Sequence, residues 1–113
     1  MIARTWHGRA TLEKAGDYER HFATDVVPNL KGIAGHLGAY LLRREVDGEV
    51  EFMAVTLWDS IGTIKAFAGA DTSVAHVEPE GRAALRSFDD FARNYQIVYD
   101  TVTDAQADRA HGA

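Results

Sequence analysis

Residues 2–10 divide cleanly into two faces: Ile2, Arg4, Trp6 and Gly8 on one, Ala3, Thr5, His7 and Arg9 on the other. This period of two predicts a strand. From about Glu13 the period changes. Tyr18, Phe22, Val26 and Leu30 recur every four residues, with Ala15, Ala23 and Val27 beside them, which predicts an amphipathic helix. Pro28 falls inside that pattern. Its ring removes a donor and crowds the preceding turn, so a kink or a separate last turn is expected. Gly32 and Gly35 end the segment. Two strands, over 37–46 and 50–58, flank Asp47-Gly48, a pair favoured where a tight hairpin needs positive φ. Asp59-Ser60 then caps a helix carrying Ile61, Ile64, Phe67 and Ala68, with Gly69 as its stop. Residues 70–81 read as a loop, 82–88 as a short helix, and 93–99 as the last strand.

The order is β-α-β-β-α-β. This predicts an α+β, ferredoxin-like fold: an antiparallel four-stranded sheet with both helices on one face. Strand 50–58 is apolar on both sides, with Val50, Phe52 and Ala54 against Met53, Val55 and Leu57. The face without helices therefore needs a cover, and a homodimer packed through it is expected.

Composition narrows the function. A chain of 113 residues suits one domain, and 46% hydrophobic with 10% aromatic residues supports a packed core. Residues 1–102 are read as that domain and 103–113, which lack large apolar side chains, as a flexible tail. The absence of cysteine excludes disulfides, thiolate metal sites and a cysteine nucleophile. Twelve basic against 17 acidic residues argue against nucleic acid as a partner. No apolar run approaches a membrane span and the N-terminus does not read as a signal peptide, so a cytoplasmic location away from membranes is expected. There is no HExxH, no histidine pair at i, i+4 and no glycine-rich phosphate loop; no metal site is expected. His21 and Asp25 share a helix face, read as a polar face rather than a ligand pair.

Several stretches together carry a resemblance. They are IARTWHG at 2–8, Tyr18, GAYLLRR at 38–44, and EFMAVTLWDS at 51–60 followed by IKAFAG at 64–69. Over roughly residues 1–100 the chain resembles the antibiotic biosynthesis monooxygenase (ABM) domain family, whose members are dimeric α+β barrels. The resemblance implies a homodimer with a pocket between sheet and helices. It also implies cofactor-independent monooxygenation of a small aromatic phenol or hydroquinone. The alternatives are a non-catalytic ligand-binding dimer of the same fold and a haem-binding or haem-degrading protein. Haem-degrading relatives place an Asn late in the first strand and a Trp on the second helix, where this chain has Trp6 and Phe67. Haem therefore stands as the alternative to a reaction with no cofactor.

By that resemblance the candidate catalytic residues are His76, His7 and Tyr95. His76 lies about nine residues beyond Phe67, the spacing of the iron-binding His in haem-degrading relatives. It reads as a loop residue with few packing contacts. His7 is expected as a candidate base, since imidazole is the side chain suited to proton transfer near neutral pH. Tyr95 is a hydroxyl donor to a phenolate. Trp6, Phe22 and Phe67 are expected as pocket walls. Arg4 shares the Trp6 face and is expected either to hold an anionic substrate or to pair at the surface with a carboxylate.

Overall fold

Every strand of the sheet is organised around two long antiparallel partners. Strand β1 (Ile2–Thr11) runs against β3 (Glu49–Trp58) in unbroken register from Ile2↔Trp58 to Thr11↔Glu49. The structure, a computed structural model, describes residues 1–101; the expected tail at 103–113 lies outside the described residues. Strand β2 (His36–Val46) joins β3 through the predicted turn, where Asp47 and Gly48 take φ of 53° and 76°. Both values are the left-handed ones that a primed hairpin requires. The other edge of β1 holds β4 (Ser87–Phe88) and β5 (Arg93–Gln96), so the order is β2-β3-β1 with β4 and β5 sharing the last place. This is the ferredoxin-like α+β arrangement that the sequence predicts.

Two elements differ from expectation. The helix expected over 82–88 is α4 (Pro79–Ala84) instead. Pro79 opens it, where its fixed φ and missing N–H cost nothing. Leu85 is already extended, and Arg86 N bonds Arg9 O at 2.7 Å, so 87–88 become strand. The last strand ends at Gln96 rather than Tyr99, because β1 offers no partner before Ile2 and Met1.

The first helical segment comprises α1 (Ala15–His21), a wider π turn (Phe22–Val26) and α2 (Val27–Lys31). Val27 N bonds Phe22 O, five residues back. The π turn ends two residues before Pro28, whose ring would strike the carbonyl four residues behind it in a regular helix. Helix α3 (Ile61–Ala68) is capped as expected: Ser60 Oγ accepts from Thr63 N, and Gly69 ends it at φ 92°.

These helices cover one sheet face. One core cluster joins Tyr18 to Val50, Phe52, Ala84 and Leu85; a second joins Leu30, Trp58, Ile64 and Ala68. The opposite face has no helix. It leaves Tyr40 55%, Leu42 45% and Tyr95 52% exposed, between half-buried Met53, Val55 and Leu57.

Candidate active site

A cavity of ≈ 130 Å³ lies between the covered sheet face and the helices. Its floor is β-structure: Arg4 and Trp6 of β1, with Ala54 and Thr56 opposite them on β3. Phe22 and Val26 from the π turn, with Phe67 from α3, make an apolar wall. His76 closes one side from the loop between α3 and α4. Five of the seven residues singled out from the sequence thus meet here: Arg4, Trp6, Phe22, Phe67 and His76.

His7 and Tyr95 do not join them. Side chains alternate along a strand, so placing Trp6 toward the helices turns His7 to the helix-free face. There His7 Nδ1 stands 3.6 Å from Asp89 Oδ2. Tyr95 pairs with Ala3 on that same outer face. A sheet thickness separates both from the cavity.

Arg4 is 6% exposed and makes no ion pair among the described residues, so the expected surface pairing is absent. Its Nη1 donates to Thr72 O and to Asn94 Oδ1, and its Nη2 donates to Val74 O at 2.8 Å. All three acceptors are neutral. Burial lowers the guanidinium below its ordinary pKa, yet an arginine stays cationic in proteins. Arg4 therefore brings to the cavity a desolvated positive charge with no ion-pair partner among the described residues, though Glu78 also lines the cavity.

Trp6 supplies a wall and no donor to a ligand, since its Nε1 donates to Asp89 O at 2.7 Å. Its ring packs against Tyr18 and Phe88, each with centroids 6.2 Å away. Phe67 stacks at 5.3 Å on fully buried Trp58, whose own Nε1 donates to Thr56 Oγ1.

His76 is less free than a loop position suggests. Its Nε2 is 2.7 Å from Ala68 O, the last residue of α3. A carbonyl only accepts, so Nε2 carries the proton and Nδ1 keeps its lone pair. The ring thus caps α3 as well as lining the cavity.

Sequence reasoning missed two lining residues as functional, Tyr18 and His21. Tyr18 is buried, which pushes its pKa up to about 12, and its hydroxyl has no hydrogen-bond partner among the described residues. It is a neutral donor facing the ligand space. His21 is 7% exposed and its Nδ1 is 2.9 Å from Asp25 Oδ2. The i, i+4 spacing of that pair was visible in the sequence; its burial was not.

Haem does not fit the residues as they stand. Pockets for drug-sized ligands span roughly 300–1,000 Å³, and a macrocycle sits at the upper end of that size range. This cavity offers ≈ 130 Å³, and the Nε2 of its candidate ligand His76 is committed to Ala68. No cluster of three or more His, Cys, Asp or Glu suited to a metal ion occurs among the described residues. No helix of the described residues is long and apolar enough to cross a membrane.

No family profile matches the sequence, and no curated protein matches it. Solved structures do match. A Bacillus cereus protein provisionally described as an antibiotic biosynthesis monooxygenase superposes with TM-score 0.64 at 13% identity, covering 88% of this chain and 94% of its own. MhuD, a haem degrader from Mycobacterium tuberculosis with two haems in its active site, gives 0.58 at 23%, covering 88% and 98%. A Deinococcus radiodurans protein, also provisionally an antibiotic biosynthesis monooxygenase, gives 0.53 at 15%, covering 88% and 95%. The chain therefore has the ABM-type ferredoxin-like fold along nearly the whole length of these neighbours. One fold hosts oxygenases and haem degraders alike, so the reaction must be argued from the cavity.

Proposed function

We propose that this protein is an ABM-type oxygenase that acts without a cofactor on a small aromatic phenol or hydroquinone. The observation that carries the reading is Arg4, a buried cation lacking a carboxylate, at the floor of a cavity walled by Trp6, Phe22 and Phe67. Such a cavity favours a flat apolar molecule that becomes an anion. Aromatic walls hold the ring, and Arg4 with the Tyr18 hydroxyl stabilises negative charge on its oxygen.

The chemistry needs little more. A phenol, the enol form of a ring ketone, loses a proton, and the carbanion-like anion passes one electron to O₂. The radical pair combines into a hydroperoxide, which loses water. Overall a ring CH₂ and O₂ become C=O and H₂O, with the substrate supplying all four electrons. The protein binds, deprotonates, stabilises the anion and limits water. His76 belongs to this set by position. His7 and Tyr95, on the far face, serve the expected homodimer interface instead.

The test is oxygen uptake with a panel of single-ring hydroquinones and phenols. Wild type should consume O₂ with one oxygen atom appearing in the product. Arg4→Met should lower kcat/KM by about 10²–10³, the loss seen when a charge-stabilising group is removed. Tight binding of phenols with no uptake would instead establish the non-catalytic binding dimer. No binding at all would overturn both.

A further inference from the structure

We propose that the general base of the cavity is His21, oriented by Asp25, rather than the loop histidine. The inference rests on the reading of the cavity as a place where a phenol or enol is ionised, and it deepens that reading by naming the proton acceptor.

The geometry is that of an imidazole held by a carboxylate. His21 ends α1 and Asp25 sits one turn on, inside the π turn, with Nδ1 and Oδ2 2.9 Å apart. A carboxylate accepts, so Nδ1 carries the proton. The Nε2 lone pair is left, and Nε2 makes no hydrogen bond among the described residues. His21 lines the cavity and is otherwise enclosed, being 7% exposed. The residue facing Nε2 is Gly81 of α4, where a Cβ would lie 3.3 Å from that nitrogen. A side chain at position 81 would crowd that nitrogen.

The choice between the two cavity histidines follows from their partners. His76 is held by the Ala68 carbonyl, which fixes a tautomer but carries no charge. Asp25 fixes the tautomer and also stabilises the imidazolium that proton uptake creates, the division of labour seen in carboxylate–histidine pairs. Tyr18 packs on His21 with ring centroids 6.1 Å apart, and Arg4 and Glu78 are the other charged groups lining the cavity. Tyr18 stays neutral because its pKa is pushed up to about 12.

The step balances simply. The ligand O–H bond breaks, an Nε2–H bond forms on His21, and the electron pair stays on the ligand oxygen. The products are two matched ion pairs: imidazolium with Asp25, and phenolate with Arg4. Asp25 touches no ligand and is a positioning residue.

A nitrophenol whose anion absorbs at longer wavelength than its neutral form reads this step without turnover. Titrated into wild type below its solution pKa, it should bind and show the phenolate band. His21→Asn keeps the Asp25 contact and deletes Nε2; it should bind the probe with the bound phenolate-to-phenol ratio lowered at least about tenfold. Asp25→Asn should give a similar loss and Asp25→Glu should restore it, a rescue that a merely structural helix pair would not show. Melting curves establish that each variant is folded, and Asp25, half exposed, can be changed without opening the core. If His21→Asn or Asp25→Asn ionises the probe as wild type does, the assignment is wrong. If His76→Gln alone abolishes the band, the base is His76. If wild type ionises the probe through His21 yet consumes no O₂ with any quinol, the dyad stands and the oxygenase reading falls. If wild type binds no phenol, both fall.

Discussion

His76 donates from Nε2 to the main-chain oxygen of Ala68 across 2.7 Å, tying the loop after α3 back to the helix it has just left. That tie contradicts the sequence expectation of a histidine with few structural duties. His76→Ala should cost about 1 kcal/mol, a typical net hydrogen bond, and lower Tm by about 4–8 °C in a domain of this size. His76→Gln, whose side-chain amide also donates, should recover most of the loss. Thermal melts of the three proteins decide it; an unchanged Tm in His76→Ala removes the capping role.

Gly35 is irreplaceable for two reasons that add. Its φ is 89°, and a Cβ there would lie 2.6 Å from both Asp59 Oδ1 and Thr63 Oγ1. Those two groups bond each other at the start of α3, and Asp59 N also donates to Gly35 O at 2.9 Å. Gly35→Ala should destabilise by roughly 1–3 kcal/mol through strain alone. Gly48→Ala, where nothing lies within 4 Å, isolates the backbone contribution and should cost less. Urea midpoints measured at constant m-value compare the pair.

His36 gives stability a defined pH dependence. Its Nε2 is buried without a hydrogen-bond partner, and its ring packs edge-on to Trp58 at 5.1 Å. Burial lowers its pKa from 6.5 in the folded state, against a partial rise from a backbone hydrogen bond at Gly38. The unfolded chain then binds more protons than the folded one just below pH 6.5, so stability falls as pH falls through that window. His36→Gln should flatten this slope. Asp59 and Asp71, whose pKa values are lowered from 3.8 by hydrogen bonds to Thr63 and Ser73, govern only the more acidic range. Denaturation series at several pH values would show an unchanged slope in His36→Gln if this account is wrong.

The helix-free face should join two copies. Tyr40, Leu42 and Tyr95 stand exposed there around Met53, Val55 and Leu57, and Arg9, Arg44, Arg86, Glu49 and Glu51 form a bonded charge cluster toward the hairpin end. An apolar centre with a polar margin is the anatomy of a protein interface. Light scattering should return about twice the 12.4 kDa chain mass at micromolar concentration, and Leu42→Arg should shift it to the single-chain value. A wild-type monomer overturns the expectation.

The fold was legible because its signals are local. Asp47-Gly48 names its own turn, Ser60 its cap, and the spacing of Tyr18, Phe22, Val26 and Leu30 its buried stripe. The cavity was legible only as far as strand alternation reaches, which places Arg4 and Trp6 together and His7 opposite. What remained hidden depends on distant chain. Arg4 looks like a surface cation until the carbonyls of Thr72 and Val74, some 70 residues on, close over it. His21 looks like part of a solvated helix face until Gly81 of α4 comes against its ring, while Asp25 beside it stays half exposed.

The π turn sets the rotational phase of the helix around the cavity. A four-residue spacing overruns a 3.6-residue turn by about 40° at each step, so three steps in a regular helix would carry Leu30 about 120° away from the line of Tyr18. The wider turn at Phe22–Val26 absorbs part of that overrun, keeping Tyr18, Phe22 and Leu30 all buried. The same device is a one-residue index. Deleting a single residue between 22 and 26 would remove the extra residue of the π turn and leave a regular helix, with Tyr18 and Leu30 eleven positions apart and still within about 20° of one line. The π turn is thus the place where this helix can lose one residue and still present Tyr18 and Leu30 on the same side.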